Sequence, residues 1–114
     1  ATPETINIAK RGITNLLRHA EVLPGNPDVD YTIVLDMPDH RCFISSESSG
    51  LMEHCVQLGE TVKAGQLIAR VHDVDRTNGI PTEYYSPLDG IFTARHYPGL
   101  IGMGDIVGVV ALKV

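Results

Sequence analysis

The apolar positions change rhythm once along the chain. In TPETINIAKRGITNLLRHAEVL (2–23), Ile6, Ala9, Ile13, Leu16 and Ala20 recur at steps of three and four, which places them on one face of a helix. Thr2 suits the N-cap, Pro3 the first helical position and Glu4 the first turn. Arg18 and His19 come near the end, where the helix dipole favours positive charge. Gly12 costs about 1 kcal/mol against Ala inside a helix, so it marks either a close backbone approach or a tolerated defect.

PGNPD (24–28) breaks that pattern, as turn residues do, and a period of two follows. Val29, Tyr31, Ile33, Leu35 and Met37 alternate with Asp30, Thr32, Val34 and Asp36, which predicts a half-buried strand over 29–37. RCFIS (41–45) reads as a second strand, followed by the polar loop SSESSG. Further strands are predicted over 51–57, 66–72, 82–86, 91–97 and 105–112, with Pro and Gly marking the gaps. One helix is followed by a chain that is all β.

The β part repeats itself. SGLMEHCVQLGETVKAGQLIARV begins at Ser49 and DGIFTARHYPGLIGMGDIVGVVAL at Asp89. Gly50 matches Gly90, Gly59 matches Gly99, and Gly65 matches Gly104. Shared glycines imply shared backbone needs, a positive φ or a close approach. Two such halves form a pseudo-twofold sandwich in which each covers the apolar face of the other. The pattern over 49–113 resembles the biotinyl/lipoyl domains, so the fold expected is mostly β, a barrel-sandwich hybrid with extra strands and one N-terminal helix. Carriers of that kind bear a modifiable lysine on the hairpin joining the halves. Here that hairpin is HDVDRTNGIPTEYY (72–85), and the three lysines are Lys10, Lys63 and Lys113. A swinging-arm role is therefore rejected.

Composition narrows the classes. With 114 residues, 43% hydrophobic and 20% charged, the chain can bury one core. A net charge of −5 with scattered basic residues argues against nucleic acid. No apolar run approaches the roughly 20 residues of a membrane span, and no signal pattern opens the chain. Two cysteines, Cys42 and Cys55, are too few for a disulfide framework. A cytoplasmic setting with reduced thiols is expected. The first residue is Ala rather than Met, so either a processed chain or a piece of a longer polypeptide is expected.

Three stretches together carry a closer resemblance: PETINIAKRGITNLLRHAEVLPG, then MPDHRCFISSESSGLMEHCVQLGETVKAGQLIARVH, then PTEYYSPLDGIFTARHYPGLIGMGDIVGVVA. They resemble the C-terminal third of the succinylglutamate desuccinylase/aspartoacylase family. That resemblance implies an N-terminal zinc-carboxypeptidase-like catalytic domain outside these residues. Residues 1–23 would be its tail helix, 24–28 a linker and 29–114 an accessory β-sandwich domain. It also implies a reaction, in which zinc-activated water attacks the acyl carbon of an N-acyl amino acid with a glutamate as base. The family's first two zinc ligands come as His-x-x-Glu, and none of His19, His40, His54, His72 and His96 opens that motif. No catalytic, cofactor-binding or metal-binding residue is therefore assigned in this chain. Zinc is expected in the catalytic domain, and the chain alone is expected to be inactive. The partners implied are the chain's own catalytic domain, the N-acyl amino acid substrate of the whole enzyme, and a second copy drawn by the apolar helix stripe.

The remaining polar residues form no strong constellation. His72 and Asp75, three apart on a strand, point to opposite faces, and so do the neighbours Glu53 and His54. Cys42 stands beside Arg41 and near His40, but nucleophilic use needs a positioned His and an oxyanion hole, for which sequence adjacency alone is weak evidence. Tyr84, Tyr85, Arg95 and His96 are the side chains most suited to line a pocket for a carboxylate-bearing substrate, since Arg binds carboxylates bidentately. Against the accessory-domain reading stand a free-standing lipoyl-like adaptor without prosthetic group, and an independent metal or thiol enzyme using His72, Asp75 or Cys42.

Overall fold

The computed structural model describes residues 1–114, which divide into two compact units, Ala1–Thr32 and Ile33–Val114. The first holds helix α1, Pro3–His19. Its start is the expected one: the Thr2 side chain accepts from the Thr5 amide, Thr5 answers in a reciprocal capping box, and Pro3 and Glu4 fill the first turn. The helix stops at His19, short of the expected run to residue 23. Glu21 adopts φ 61°, and the Val22 and Glu21 amides close back on the Leu17 and Arg18 carbonyls, a Schellman ending made without glycine. No residue of α1 is buried. Nothing lies within 4 Å of where a Gly12 Cβ would sit, so this chain makes no close approach there.

The strand expected over 29–37 is reduced to β1, Leu35–Asp36. Only these two residues face a partner strand, at Lys113 and Leu112, and the pairing ends where the Val114 amide bonds the Val34 carbonyl. Upstream, Val29 and Tyr31 are exposed. Asp28 turns to the helix instead, where Asn15 and Arg11 hold its backbone and Arg11 pairs with Asp30 at 2.7 Å.

In the second unit, Arg41 and Cys42 lie in a single 3-10 turn, His40–Cys42, rather than in a strand. Asp39 caps that turn through the Arg41 amide. The strands are β2 Phe43–Ser45, β3 Gly50–His54, β4 Thr61–Val62, β5 Leu67–His72, β6 Thr82–Tyr85, β7 Gly90–Arg95, β8 Leu100–Ile101 and β9 Ile106–Lys113. They form two antiparallel sheets. One runs β1-β9-β7-β4 with β2 also on β9, and the other runs β6-β5-β3-β8. Neither closes into a barrel, and the architecture is a β sandwich. Its core is Ile44, Met52, Val56, Val62, Ile68, Ala69, Val71, Tyr84, Phe92, Ile101, Val107 and Val110.

The internal repeat is real and interlocked. Strands β2 to β5 recur as β6 to β9 at an offset of about 40 residues. Each half gives its short strand to the other, β4 to β7 and β8 to β3. The correspondence extends to single hydrogen bonds. Ser46 and Ser86, both buried, each donate a hydroxyl to the carbonyl two residues on at 2.6 Å. The Gly104 and Gly65 amides donate to the Ser46 and Ser86 carbonyls, both at 2.8 Å. Ser49 and Asp89 accept from Met103 and Ala64. Two of the three glycine matches reflect shared needs. A Cβ on Gly50 would strike the His72 carbonyl and one on Gly90 the Ala111 carbonyl, while Gly65 and Gly104 both hold φ near +85°. The third match is one of sequence only, because Gly59 has φ +87° and Gly99 has no positive φ. A bulge in β7 between Phe92 and Ala94 shifts the register between them.

Candidate functional site

The densest group of ionisable side chains lies on the exposed side of β3, β5 and β6. Register sets Glu53 opposite Arg70 and Arg70 opposite Glu83, and opposite charges directly across a ladder attract. Arg70 reaches Glu53 at 3.5 Å and Glu83 at 3.3 Å, and His72 Nε2 meets Glu53 Oε2 at 2.9 Å. The His72 hydrogen bond, with help from Arg70, holds the Glu53 carboxyl below the usual carboxylate range. Cys55 receives a long contact from Arg70 Nη1 at 3.7 Å, yet burial pushes its thiol up, so it stays a protonated thiol rather than a nucleophile. Burial and the neighbouring Glu83 likewise push the Tyr85 phenol up.

This group is an ion-pair ladder. Both Glu53 oxygens and one oxygen of Glu83 are engaged, and no three His, Cys, Asp or Glu side chains converge to hold a metal ion. His72 bonds Glu53, while the Asp75 amide closes a local turn on Asp73, so His72 and Asp75 are not brought together. Glu53 and His54 face apart as expected, with His54 Nε2 directed to the His96 carbonyl at 3.1 Å. Cys42 is fully buried. Its neighbour Arg41 is held by Asp39, whose carboxyl the Arg41 hydrogen bonds lower to about 2. Sealed in the interior, the Cys42 sulfur is out of reach of a substrate.

Of the four side chains considered for a substrate pocket, Tyr84 turns inward. Its hydroxyl accepts from the Glu47 amide at 3.0 Å and bonds the Ser48 and Ser46 hydroxyls at 2.8 and 3.3 Å. Burial raises the phenol, but these bonds together outweigh it and bring the group below its ordinary value. Tyr84 thus ties the β2–β3 loop to β6 and is a structural residue. Tyr85 and Arg95 are exposed on the second unit, and His96 bonds the Leu100 carbonyl. The β5–β6 hairpin carries exposed Val74 and Ile80 and no lysine.

The surface also carries shallow depressions. One of about 640 Å³ lies around Arg18, Glu21, Gly25 and Asn26, and one of about 320 Å³ around Arg11, Asn15 and Tyr31. The third, about 450 Å³, is lined by Thr61, Asp89, Gly90, Ile91, Leu112 and Lys113. None pairs a nucleophile with a base. The residues also do not fit the zinc site that the family resemblance implies, since a catalytic zinc needs three protein ligands and an open position.

No family model matches the chain, but individual proteins do. The N-alpha-acetyl-L-2,4-diaminobutyric acid deacetylase of Halomonas elongata is 43% identical over 113 residues, which is 97% of this chain and 33% of that protein. Among solved structures, the product-bound ectoine utilization protein EutE (DoeB) of Ruegeria pomeroyi is 44% identical with a TM-score of 0.86. The match covers 98% of this chain and 34% of that one. A succinylglutamate desuccinylase from a Silicibacter species is 40% identical with a TM-score of 0.85, over 100% of this chain and 35% of its own. The chain spans about a third of the length of the relatives it matches.

Proposed function

We infer that this chain, homologous to a third of the succinylglutamate desuccinylase/aspartoacylase proteins, is the accessory β domain of an amide hydrolase that deacylates N-acyl amino acids. The observation that carries this reading is the 43% identity to a deacetylase across nearly the whole chain, at a third of that protein's length. The fold and surface are in keeping with it. A helix of 17 residues with no buried residue leaves its apolar face uncovered in this chain, whereas amphipathic helices are stabilised mainly by packing of that face. We read residues 1–23 as the tail helix of the catalytic domain and the two interlocked halves as a barrel-sandwich hybrid.

In this reading the zinc, its ligands and the general base belong to the remaining two-thirds of the enzyme. The β domain buttresses that part and shapes the approach of substrate. The substrate class follows the named activity of the Halomonas elongata relative, an N-acetylated diamino acid. The enzyme adds water across the amide and releases acetate and the free amine, in the cytoplasm. A second copy of the chain is the other cover for the apolar helix face.

The test is made on the longer protein that contains these residues. It should release acetate from N-acetyl-2,4-diaminobutyrate, and a zinc chelator should abolish the release. Failure to hydrolyse any N-acyl amino acid would remove the proposed function.

A further inference from the structure

The two halves of the sandwich tie down their equivalent turns by different chemistry. Residues 55–60, between β3 and β4, are anchored by Val56, an apolar side chain buried in the core. The turn between β7 and β8 has no such plug. Instead His54 Nε2 faces the His96 carbonyl at 3.1 Å, and His96 Nε2 faces the Leu100 carbonyl at 2.8 Å. A carbonyl can only accept, so both Nε2 atoms carry the hydrogen and both rings are held as one tautomer. For His54 this leaves Nδ1 as a bare acceptor. That atom is sealed from solvent and has no hydrogen-bond partner, a condition that native structures rarely tolerate without cause. The sister turn shows that the fold itself does not require a titratable group in this place.

The consequence lies in what a second proton would do. It would have to enter at Nδ1, where no acceptor waits and where burial, Arg95 from the end of β7 and, once protonated, His96 from the turn itself oppose positive charge; the hydrogen bond to the His96 carbonyl favours the proton but is outweighed. On β5, the residue opposite His54 is Ala69, which offers no countercharge. Burial is the largest part of that opposition, so a protonated ring gains by swinging out to solvent, and the bond to the His96 carbonyl is then lost. We propose that His54 is a proton-operated latch: its neutral imidazole clamps the Tyr97–Gly99 turn to the sandwich, and its protonation releases that turn. What the latch presents or withdraws is Tyr97, 91% exposed at the tip.

The sign follows from the environment. Burial first, then Arg95, lowers the His54 value below its ordinary 6.5. The closed turn therefore binds the proton less well than the open one, and opening becomes easier as pH falls from about 6.5 toward the lower value. Two backbone amides report the two turns within one molecule. The Met52 amide bonds the Gly99 carbonyl at 2.8 Å, and the Phe92 amide bonds the Glu60 carbonyl at 2.9 Å.

The experiment measures hydrogen exchange at both amides from pH 8 to 5. The ratio of Met52 to Phe92 exchange should rise on acidification, by up to about tenfold per pH unit, the limit for one proton. In His54→Gln, which still offers an N–H but cannot take a second proton, the ratio should stay flat. A ratio constant over the whole range, or one that rises equally in His54→Gln, would overturn the latch. Equal acceleration at both amides would mean general acid loosening and would overturn it too. Should His54→Gln fail to fold, the imidazole titration of His54 in the native chain decides: a midpoint below 6.5, at the pH where the rise levels off, supports the latch, and a midpoint at or above 6.5 contradicts it.

Discussion

Replacing Gly90 with Ala should destabilise the chain by roughly 3 kcal/mol or more, a large share of the roughly 5–15 kcal/mol that holds a domain together. Gly90 opens β7 where that strand takes Val62 of the other half as its partner. An added Cβ would strike the Ala111 carbonyl on β9 and sit 2.8 Å from a Val110 methyl. The obstacle is backbone within a ladder, so no rotamer change can relieve it, and overpacking of this kind forces the strands apart. Gly50→Ala should behave alike, because its Cβ would meet the His72 carbonyl in the sister position. Gly12→Ala serves as the opposite control. It lies in the interior of α1 with open space around it, so Ala there should stabilise by about 1 kcal/mol at most. Urea unfolding of the three variants checks the set. If Gly90→Ala unfolds at the native midpoint, the interlocking of the two halves is not what holds them.

Leu16→Gln should be nearly silent in this chain and costly in the longer protein. Leu16 is 64% exposed on a helix that buries nothing, and Leu and Gln have similar helix propensities. The change in the 114-residue chain should therefore stay within about 0.5 kcal/mol. In the proposed enzyme the stripe of Ile6, Ile13 and Leu16 is covered by the catalytic part. Loss of a covered leucine then costs about 2–5 kcal/mol. Thermal unfolding of both proteins with and without the substitution provides the comparison. An equal, small effect in both would leave α1 without a partner in the enzyme and would remove the tail-helix assignment.

The sequence disclosed most where one residue type answers one physical need. Glycine alone fits against the His72 and Ala111 carbonyls and is the residue that most readily holds φ near +85°, so Gly50, Gly90, Gly65 and Gly104 advertised the repeat. Thr2, Pro3 and Glu4 announced the helix start for the same reason. Ser46 and Ser86 occupy matching places in SESSG and SPLDG and were equally readable, although neither stands out without the hydrogen bonds that bury them. The alternation over 29–37 misled because it reports two faces, not the presence of a neighbouring strand. β4 and β8, two residues each, are too short to show a period.

The candidate site was harder for a related reason. The Glu53–His72 bond joins residues 19 apart, and the Tyr84 clamp joins residues 36 to 38 apart. Such contacts depend on strand register, which a bulge can shift, and neighbouring letters do not encode it. The absence of His-x-x-Glu, by contrast, needed no structure to be read.

The most direct measurement is a hydrolysis assay on the purified 114-residue chain, supplied with zinc and N-acetyl-2,4-diaminobutyrate, beside the longer protein under the same conditions. The account predicts acetate release by the longer protein and none above background by the chain. Acetate released by the chain itself would place the chemistry among these residues and contradict the account.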